Sequence, residues 1–435
     1  MTKSALLPIA VVAAGIILVS CNKTVTITKP PSQLTTRVLA SQSASSPTAF
    51  AGLVIIDGEN DTLARASSIS AGSSPGLMAL SPTRATLLVF DSSTNRVEVV
   101  NTKTEALTGS IQLPGPTTSM VVPGDGNAYA AVPSAELNGV PPGAVVAMNV
   151  VSGGVTDTIS VPGAQTVVEI SDTQLLAFSS DSDAVTVLFP FQVNTGNPVT
   201  VTVPGFDRPV SAVIGGDGTI YVLNCGAQCG GVQASVQILD TSTTPPTAGA
   251  SIPVNGATVG LLAGSTLYVA GKGTPTGPLC TSIPSAGTTS AQYCGTLDIV
   301  DLGTMQDPYF NNPATEIAIT DGYHDRIDLS SNGQLFIGSY GCTTIGTVNN
   351  PQGEVRGCLS IYNTTNASVV IPPDSGDVTG LQGFSTRDVE YVAEGFNLRV
   401  YDTTTDKLIA NNNFITNGTI VIAGRIIDIK AVDFF

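Results

Sequence analysis

Apolar positions in this chain come in short runs that stop on a polar residue, and the same phrase returns along its length. It reads Leu53-Val54-Ile55-Ile56-Asp57, Val97-Glu98-Val99-Val100-Asn101 and Ala144-Val145-Val146-Ala147-Met148-Asn149. It returns as Val236-Gln237-Ile238-Leu239-Asp240, Leu297-Asp298-Ile299-Val300-Asp301, Leu359-Ser360-Ile361-Tyr362-Asn363 and Leu398-Arg399-Val400-Tyr401-Asp402. Runs this short, bounded by Gly, Asn and Asp, predict strands rather than helices. Gly124-Asp125-Gly126, Gly216-Asp217-Gly218 and Ser331-Asn332-Gly333 supply the positive-φ positions of tight hairpins between them. Self-similarity of this kind means that one supersecondary unit was copied and stacked.

Each copy parses as four strands, A to D. In the first complete copy A runs from Gly76 to Ser81, B from Thr86 to Phe90, C from Arg96 to Asn101 and D from Leu107 to Leu113. The B run Leu267-Tyr268-Val269-Ala270 and the C endings Asp240-Thr241 and Asp402-Thr403 resemble the YVTN-type β-propeller repeat, and the likeness extends over residues 50–435. That resemblance implies an all-β chain folded as a single β-propeller of four-stranded blades. Seven blades are usual for such repeats. Here Val185-Thr186-Val187-Leu188-Phe189, a C run without the terminal acid, brings the count of C strands to eight. The first C strand has no A or B run before it, so the C-terminal runs Thr419-Ile420-Val421-Ile422 and Ile426 to Val432 are expected to complete the first blade and close the ring. The alternative, two sandwiches in series, needs a linker near the middle of the chain, and none stands out.

Composition agrees with a folded sheet protein. Of 435 residues, 42% are apolar and only 11% charged, the opposite of the disordered signature. The formal charge of −16 opposes binding to phosphate backbones, so nucleic acid is not expected as a partner. Solubility is the simplest reading of the acidity.

The N-terminus changes the picture further. Lys3 precedes an apolar run from Ala5 to Val19, too short to span a bilayer as a helix and shaped like an export signal. Leu18-Val19-Ser20-Cys21 resembles the bacterial lipobox, which implies that residues 1–20 are a signal peptide and that Cys21 is the lipidated first residue of the mature chain. Asn22 where Asp would retain the protein at the inner membrane favours the outer membrane or cell surface. Residues 21–50, rich in Thr, Ser and Pro, are expected to form a flexible tether, and residues 51–435 the propeller.

The other cysteines fall in three loops between B and C strands: Cys225 and Cys229, Cys280 and Cys294, Cys342 and Cys358. In an exported chain an even set of six reads as disulfides. The bracketing favours these three pairs, each closing a loop insertion. Zinc at Cys225 and Cys229 is the competing reading, opposed by export and by the lack of a nearby His. Since B–C loops leave one face of a propeller together, the braced loops are expected to form a rim there.

Motifs that would announce catalysis are weak. Gly72-Ser73-Ser74-Pro75-Gly76 fits G-x-S-x-G, but it lies in a D–A turn with no helix after it. Gly271-Lys272-Gly273 lacks phosphate-loop spacing. The absence of Trp argues against kinship with quinone-cofactor propellers. More suggestive are charged groups at the starts of A strands: Asp207-Arg208, His324-Asp325-Arg326 and Arg425. In a ring these converge towards the channel, where three guanidinium groups would grip an anionic ligand. The simpler reading is that they satisfy local turn amides and carbonyls. The function expected from the sequence is therefore a lipid-anchored extracytoplasmic binding or scaffolding module. It is a monomer that meets the membrane through its lipid, and an anionic ligand or another envelope protein elsewhere. A hydrolase of lactonase type, with a metal at the channel mouth, is the alternative. No cofactor is expected, Ca²⁺ being the one candidate.

Overall fold

A computed structural model describes residues 30–44, 50–124, 126–190, 198–272, 281–283, 291–293, 295–312, 315–342, 344–345, 354–355, 358–372, 376–410, 415–416, 418–422 and 424–433. The chain forms eight antiparallel sheets, each with four strands running A to D outward from the channel, in a closed β-propeller. Blade 2 is Pro75–Leu80, Thr86–Asp91, Arg96–Asn101 and Ala106–Gln112. Blade 3 is Ser119–Val121, Asn127–Val132, Ala144–Asn149 and Gly154–Ser160, and blade 4 is Ala164–Ser171, Gln174–Ser179, Ala184–Phe189 and Val199–Pro204. Blade 5 follows with Pro209–Ile214, Ile220–Asn224, Ser235–Asp240 and Thr247–Pro253. Blade 6 has Val259–Ala263, Thr266–Gly271, Gly295–Asp301 and Ile317–Ile319. Blade 7 has Tyr323–Leu329, Gln334–Tyr340, Leu359–Asn363 and Ser368–Val370. In blade 8, Val378–Gly383, Val389–Glu394 and Asn397–Asp402 are edged by Thr419–Ile420.

The continuous apolar runs of the B and C strands follow from burial on both faces. Side chains alternate across a strand. In blade 2 Leu87 and Val89 therefore pack against blade 1, while Leu88 and Phe90 pack against blade 3. Eight such apolar clusters fill the eight junctions between neighbouring blades. Among the described residues the apolar core lies in these junctions rather than at one centre. Stability comes from the junctions, each at roughly 25 cal/mol per Å² of apolar surface removed from water.

The polar residue that ends the repeated phrase caps the C–D turn. Its side-chain oxygen accepts the amide hydrogen two residues on, from Asp57 to Glu59, Asn101 to Lys103 and Asn149 to Val151, at 2.9, 3.0 and 3.0 Å. The same bond recurs at Asp240, Asp301, Asn363 and Asp402 at 2.8–2.9 Å. Asp and Asn are favoured because their short side chains reach the backbone without disturbing the strand. Blade 4 ends its C strand on Phe189, whose side chain carries no oxygen to accept such a bond.

Blade 1 is built from both ends of the chain. Its A strand is Arg425–Ala431, its B strand Arg37–Ser43, its C strand Gly52–Asp57 and its D strand Thr62–Ile69. Two sequence expectations are corrected here. Arg37–Ser43 is an inner strand, not tether: Val38, Leu39 and Ala40 are buried between Ala431, Lys430 and Ile429 on one side and Ile56, Ile55 and Val54 on the other. Thr419–Ile420 belongs to blade 8, so a single C-terminal strand, not two, completes blade 1.

The seam carries a clamp. The Arg37 guanidinium, buried, donates to Asp433 through Nε at 2.9 Å and Nη2 at 2.6 Å, and through Nη1 to Glu105 of blade 2 at 3.0 Å. Arg84 of blade 2 also donates to the carbonyl of Asp433. Replacing Arg37 by Met is expected to destabilise the fold by about 3 kcal/mol, because Glu105 would remain buried without its counter-charge. Chemical denaturation measures this; a loss well under 1 kcal/mol would show the clamp to be incidental.

Candidate functional site

Because A strands begin where D–A connections arrive, those connections and the B–C loops share one face of the ring, here the upper face. The A–B and C–D turns share the lower face. A cavity of about 690 Å³ opens on the upper face at the channel mouth. It is lined by the starts of A strands in blades 2 to 7, the B-strand ends Phe178 to Asp181 and Tyr340, and Cys229 of the blade 5 loop.

Arg208, Asp325 and Arg326 line this cavity, as the sequence suggested. Arg208 sits in the left-handed region at φ 54, which a residue with a Cβ adopts only at a cost of roughly 1 kcal/mol. Its guanidinium lies near two exposed carboxylates, Asp181 at 3.7 Å and Asp183 at 3.6 Å, beyond hydrogen-bond range. Its buried Nε and Nη1 have no hydrogen-bond partner among the described residues. Such solvent-screened pairs are weak. Arg326 is better tied. It donates through Nε to the Thr379 carbonyl of blade 8 at 2.9 Å and through Nη1 to Asp325 Oδ2 at 2.9 Å. Burial pushes the Asp325 carboxyl up, against the opposing pull of Arg326.

Tyr323 and Tyr340 join them, their ring centroids 5.4 Å apart. Sequence reading missed both, along with Asp181. A β-bulge between His324 and Arg326 explains why Asp325 and Arg326 can both face the cavity from adjacent positions. Blades 2, 4, 5 and 8 have a comparable register shift near the start of A, so the feature is general around the mouth.

Three other candidates lie elsewhere. Asp207 organises the first braced loop: its carboxylate accepts the amides of Val232 and Gln233, the shortest bond being 2.6 Å. A Cβ on Gly231 would stand 1.8 Å from Asp207 Oδ1, so only glycine fits that approach. His324 is fully buried beside Gly295 of blade 6, away from the cavity, and burial holds its pKa down to about 4. It is neutral across the physiological range and not placed to touch a ligand. Arg425 stacks on the Phe396 ring, its Cζ 3.6 Å from the centroid, and leaves the channel. The expected trio of guanidinium groups is therefore a pair.

The disulfides Cys225–Cys229 and Cys342–Cys358 form as read, with Cα separations of 5.6 and 5.8 Å. Cys280 and Cys294 lie outside the described residues, as does Cys21. The B–C insertions of blades 6 and 7 carry short ladders of their own, Thr281–Ile283 with Ala291–Tyr293 and Thr344–Ile345 with Glu354–Val355. Among the described residues, no group of three or more His, Cys, Asp and Glu side chains is placed to hold a metal ion. The G-x-S-x-G segment is a turn in which Ser74 N donates to Asp91.

No family model matches the chain, and no curated protein matches it. Solved structures do. Dihydro-heme d1 dehydrogenase NirN, in complex with DHE, aligns with a TM-score of 0.61 at 11% identity, over 93% of this chain and 77% of its own. Periplasmic gluconolactonase PpgL of Pseudomonas aeruginosa aligns with a TM-score of 0.48 at 13% identity, over 91% and 98%. BamB from Moraxella catarrhalis gives 0.46 at 11% identity, over 85% and 93%. What NirN shares with this chain at that identity is the fold.

On the lower face a cavity of about 380 Å³ is lined by Asp328, Gln382, Gly383 and neighbours. Glu390 is fully buried behind Gly383, and burial together with Asp328 pushes its carboxyl well up. The linkage follows from the sign of that shift. Below the ordinary value of 4.5 the folded and unfolded chains both hold the proton, and the full contribution to stability is present. Above it the unfolded chain alone releases the proton, so stability falls with rising pH. Glu390→Gln removes this loss. The variant is expected to gain stability over the parent at pH 8 and to gain none at pH 4 in paired denaturation curves; equal gains at both would contradict the assignment.

Proposed function

We propose that this chain is a lipid-anchored, extracytoplasmic binding module that holds an anionic small ligand at the mouth of the propeller channel. The anchor reading rests on Leu18-Val19-Ser20-Cys21 after an apolar run, and the extracytoplasmic reading is supported by two disulfides, which persist in oxidising compartments. The YVTN reading of the repeats rests on runs such as Leu267-Tyr268-Val269-Ala270 and Asp402-Thr403, and the ring that carries them has eight blades.

The ligand reading is carried by Arg208. It lines an open cavity from a strained backbone, and neither Asp181 nor Asp183 comes close enough to satisfy its guanidinium. Arg326 adds a second positive group held rigid by Thr379 and Asp325, and the tyrosine pair offers a face for the rest of the ligand. A carboxylate or phosphate on Arg208 would displace only weak, exposed pairs and gain a charge-assisted, bidentate bond.

Calorimetric titration with orthophosphate, succinate and glucuronate tests this. At least one of these anions is expected to bind saturably. Arg208→Ala should weaken that binding tenfold or more, in line with the roughly 1.5–3 kcal/mol of a hydrogen bond to a charged group. Binding left unchanged in the Arg208→Ala, Arg326→Ala double variant would refute the site.

A further inference from the structure

The direction in which the chain enters the ring fixes how an anchored propeller stands. Blade 1 receives the N-terminal strand Arg37–Ser43 beside Arg425–Ala431, with Ser43 opposite Arg425 and Val38 opposite Ala431. Arg425 begins an A strand, at the upper face, so Arg37 lies at the lower face. The residues just before it are fastened there. Ser32 donates through its amide and Oγ to Glu105 at 2.8 and 2.5 Å, in the C–D turn of blade 2. Thr35 Oγ1 donates to Glu59 at 2.6 Å, and Gly58 N donates to the Thr36 carbonyl at 2.8 Å, both in the C–D turn of blade 1.

From this, and resting on the lipid-anchor reading of Cys21, we infer that the lower face is turned towards the bilayer and that the cavity and its disulfide-braced loops are presented away from it, to a water-borne partner rather than to lipid. Eight residues lie between Cys21 and Pro30, so extended chain spans at most about 30 Å between the lipid and the fastened segment. That leash leaves from the lower face, which can meet the bilayer with the leash slack, whereas the upper face could reach it only with about 20 Å of the leash drawn out along the side of the ring. The lower face also has little affinity of its own for anionic headgroups, since its turns carry Asp57, Glu59, Asp240, Asp301 and Asp402. The covalent lipid is therefore what holds it.

Two exposed valines provide reporters. Val151, 81% exposed, lies in the C–D turn of blade 3 on the lower face, and Val232, 85% exposed, lies in the blade 5 loop on the upper face. A fluorescent amino acid is placed at one or the other in the lipidated protein. The protein is then reconstituted into vesicles of phosphatidylethanolamine and phosphatidylglycerol bearing a rhodamine headgroup acceptor. Strands of about six residues separate the faces by about 20 Å, so energy transfer from position 151 is expected to exceed that from 232 clearly. Equal transfer, or stronger transfer from 232, overturns the orientation. Flotation of the chain from Asn22 onward, made without residues 1–21, tests the anchor separately: it is expected to stay with the soluble fraction. If it floats with the vesicles as the parent does, the lipid reading fails, and the inferred orientation with it. Failure of the anion titration above would leave the orientation standing.

Discussion

The pairing of Arg37–Ser43 with Arg425–Ala431 joins strands about 390 residues apart, and the other seven blades depend on it. Each blade buries both faces against neighbours, so an open ring would expose two apolar faces and two strand edges at once. Ile426 and Ile429 from one end and Val38 and Ala40 from the other lie in the same cluster with Tyr391 and Val400 of blade 8. Leu39 fills the next junction with Leu87 and Val89 of blade 2. The two junctions flanking blade 1 are therefore made of residues that have no core until both termini arrive.

Closure also sets the chemistry of the channel mouth. Inner strands all start on one face, which brings Arg208 of the blade 5 connection and Asp325 and Arg326 of blade 7 to one cavity, though more than 100 residues separate them in sequence. Arg326 spans the junction to blade 8 through the Thr379 carbonyl, so the position of its guanidinium reports on the packing of two blades rather than one. Asp207, next to Arg208, fastens the neighbouring loop and leaves Arg208 to the cavity. Adjacent residues thus divide structural and candidate binding roles.

How much of this was legible in the sequence depends on whether the governing interaction is local. The Asp or Asn that ends seven of the eight C strands bonds an amide two residues away, so the repeated phrase and the blade count could be read directly. The disulfides Cys225–Cys229 and Cys342–Cys358 close short loops and could be read the same way. Val38-Leu39-Ala40 could not: three small or branched residues among Thr and Ser become a strand only beside partners at the far end of the chain. Side-chain parity at the starts of A strands was equally hidden. The bulge at His324 and Arg326 turns Asp325 and Arg326 into the cavity while His324 goes into the wall. Arg425 looked equivalent to Arg208 in sequence, and only the position of Phe396 draws it away.

If closure is the constraint on which the ring rests, its two seam strands should open only when the whole molecule does. Hydrogen–deuterium exchange of the native protein, resolved to peptides covering Arg37–Ser43 and Arg425–Ala431, measures this directly. The expected result is protection of both strands equal to that of the inner strands of blades 3 to 5, with all of them released together as denaturant is added. Seam peptides that exchange early, while blades 3 to 5 stay protected, would contradict the account.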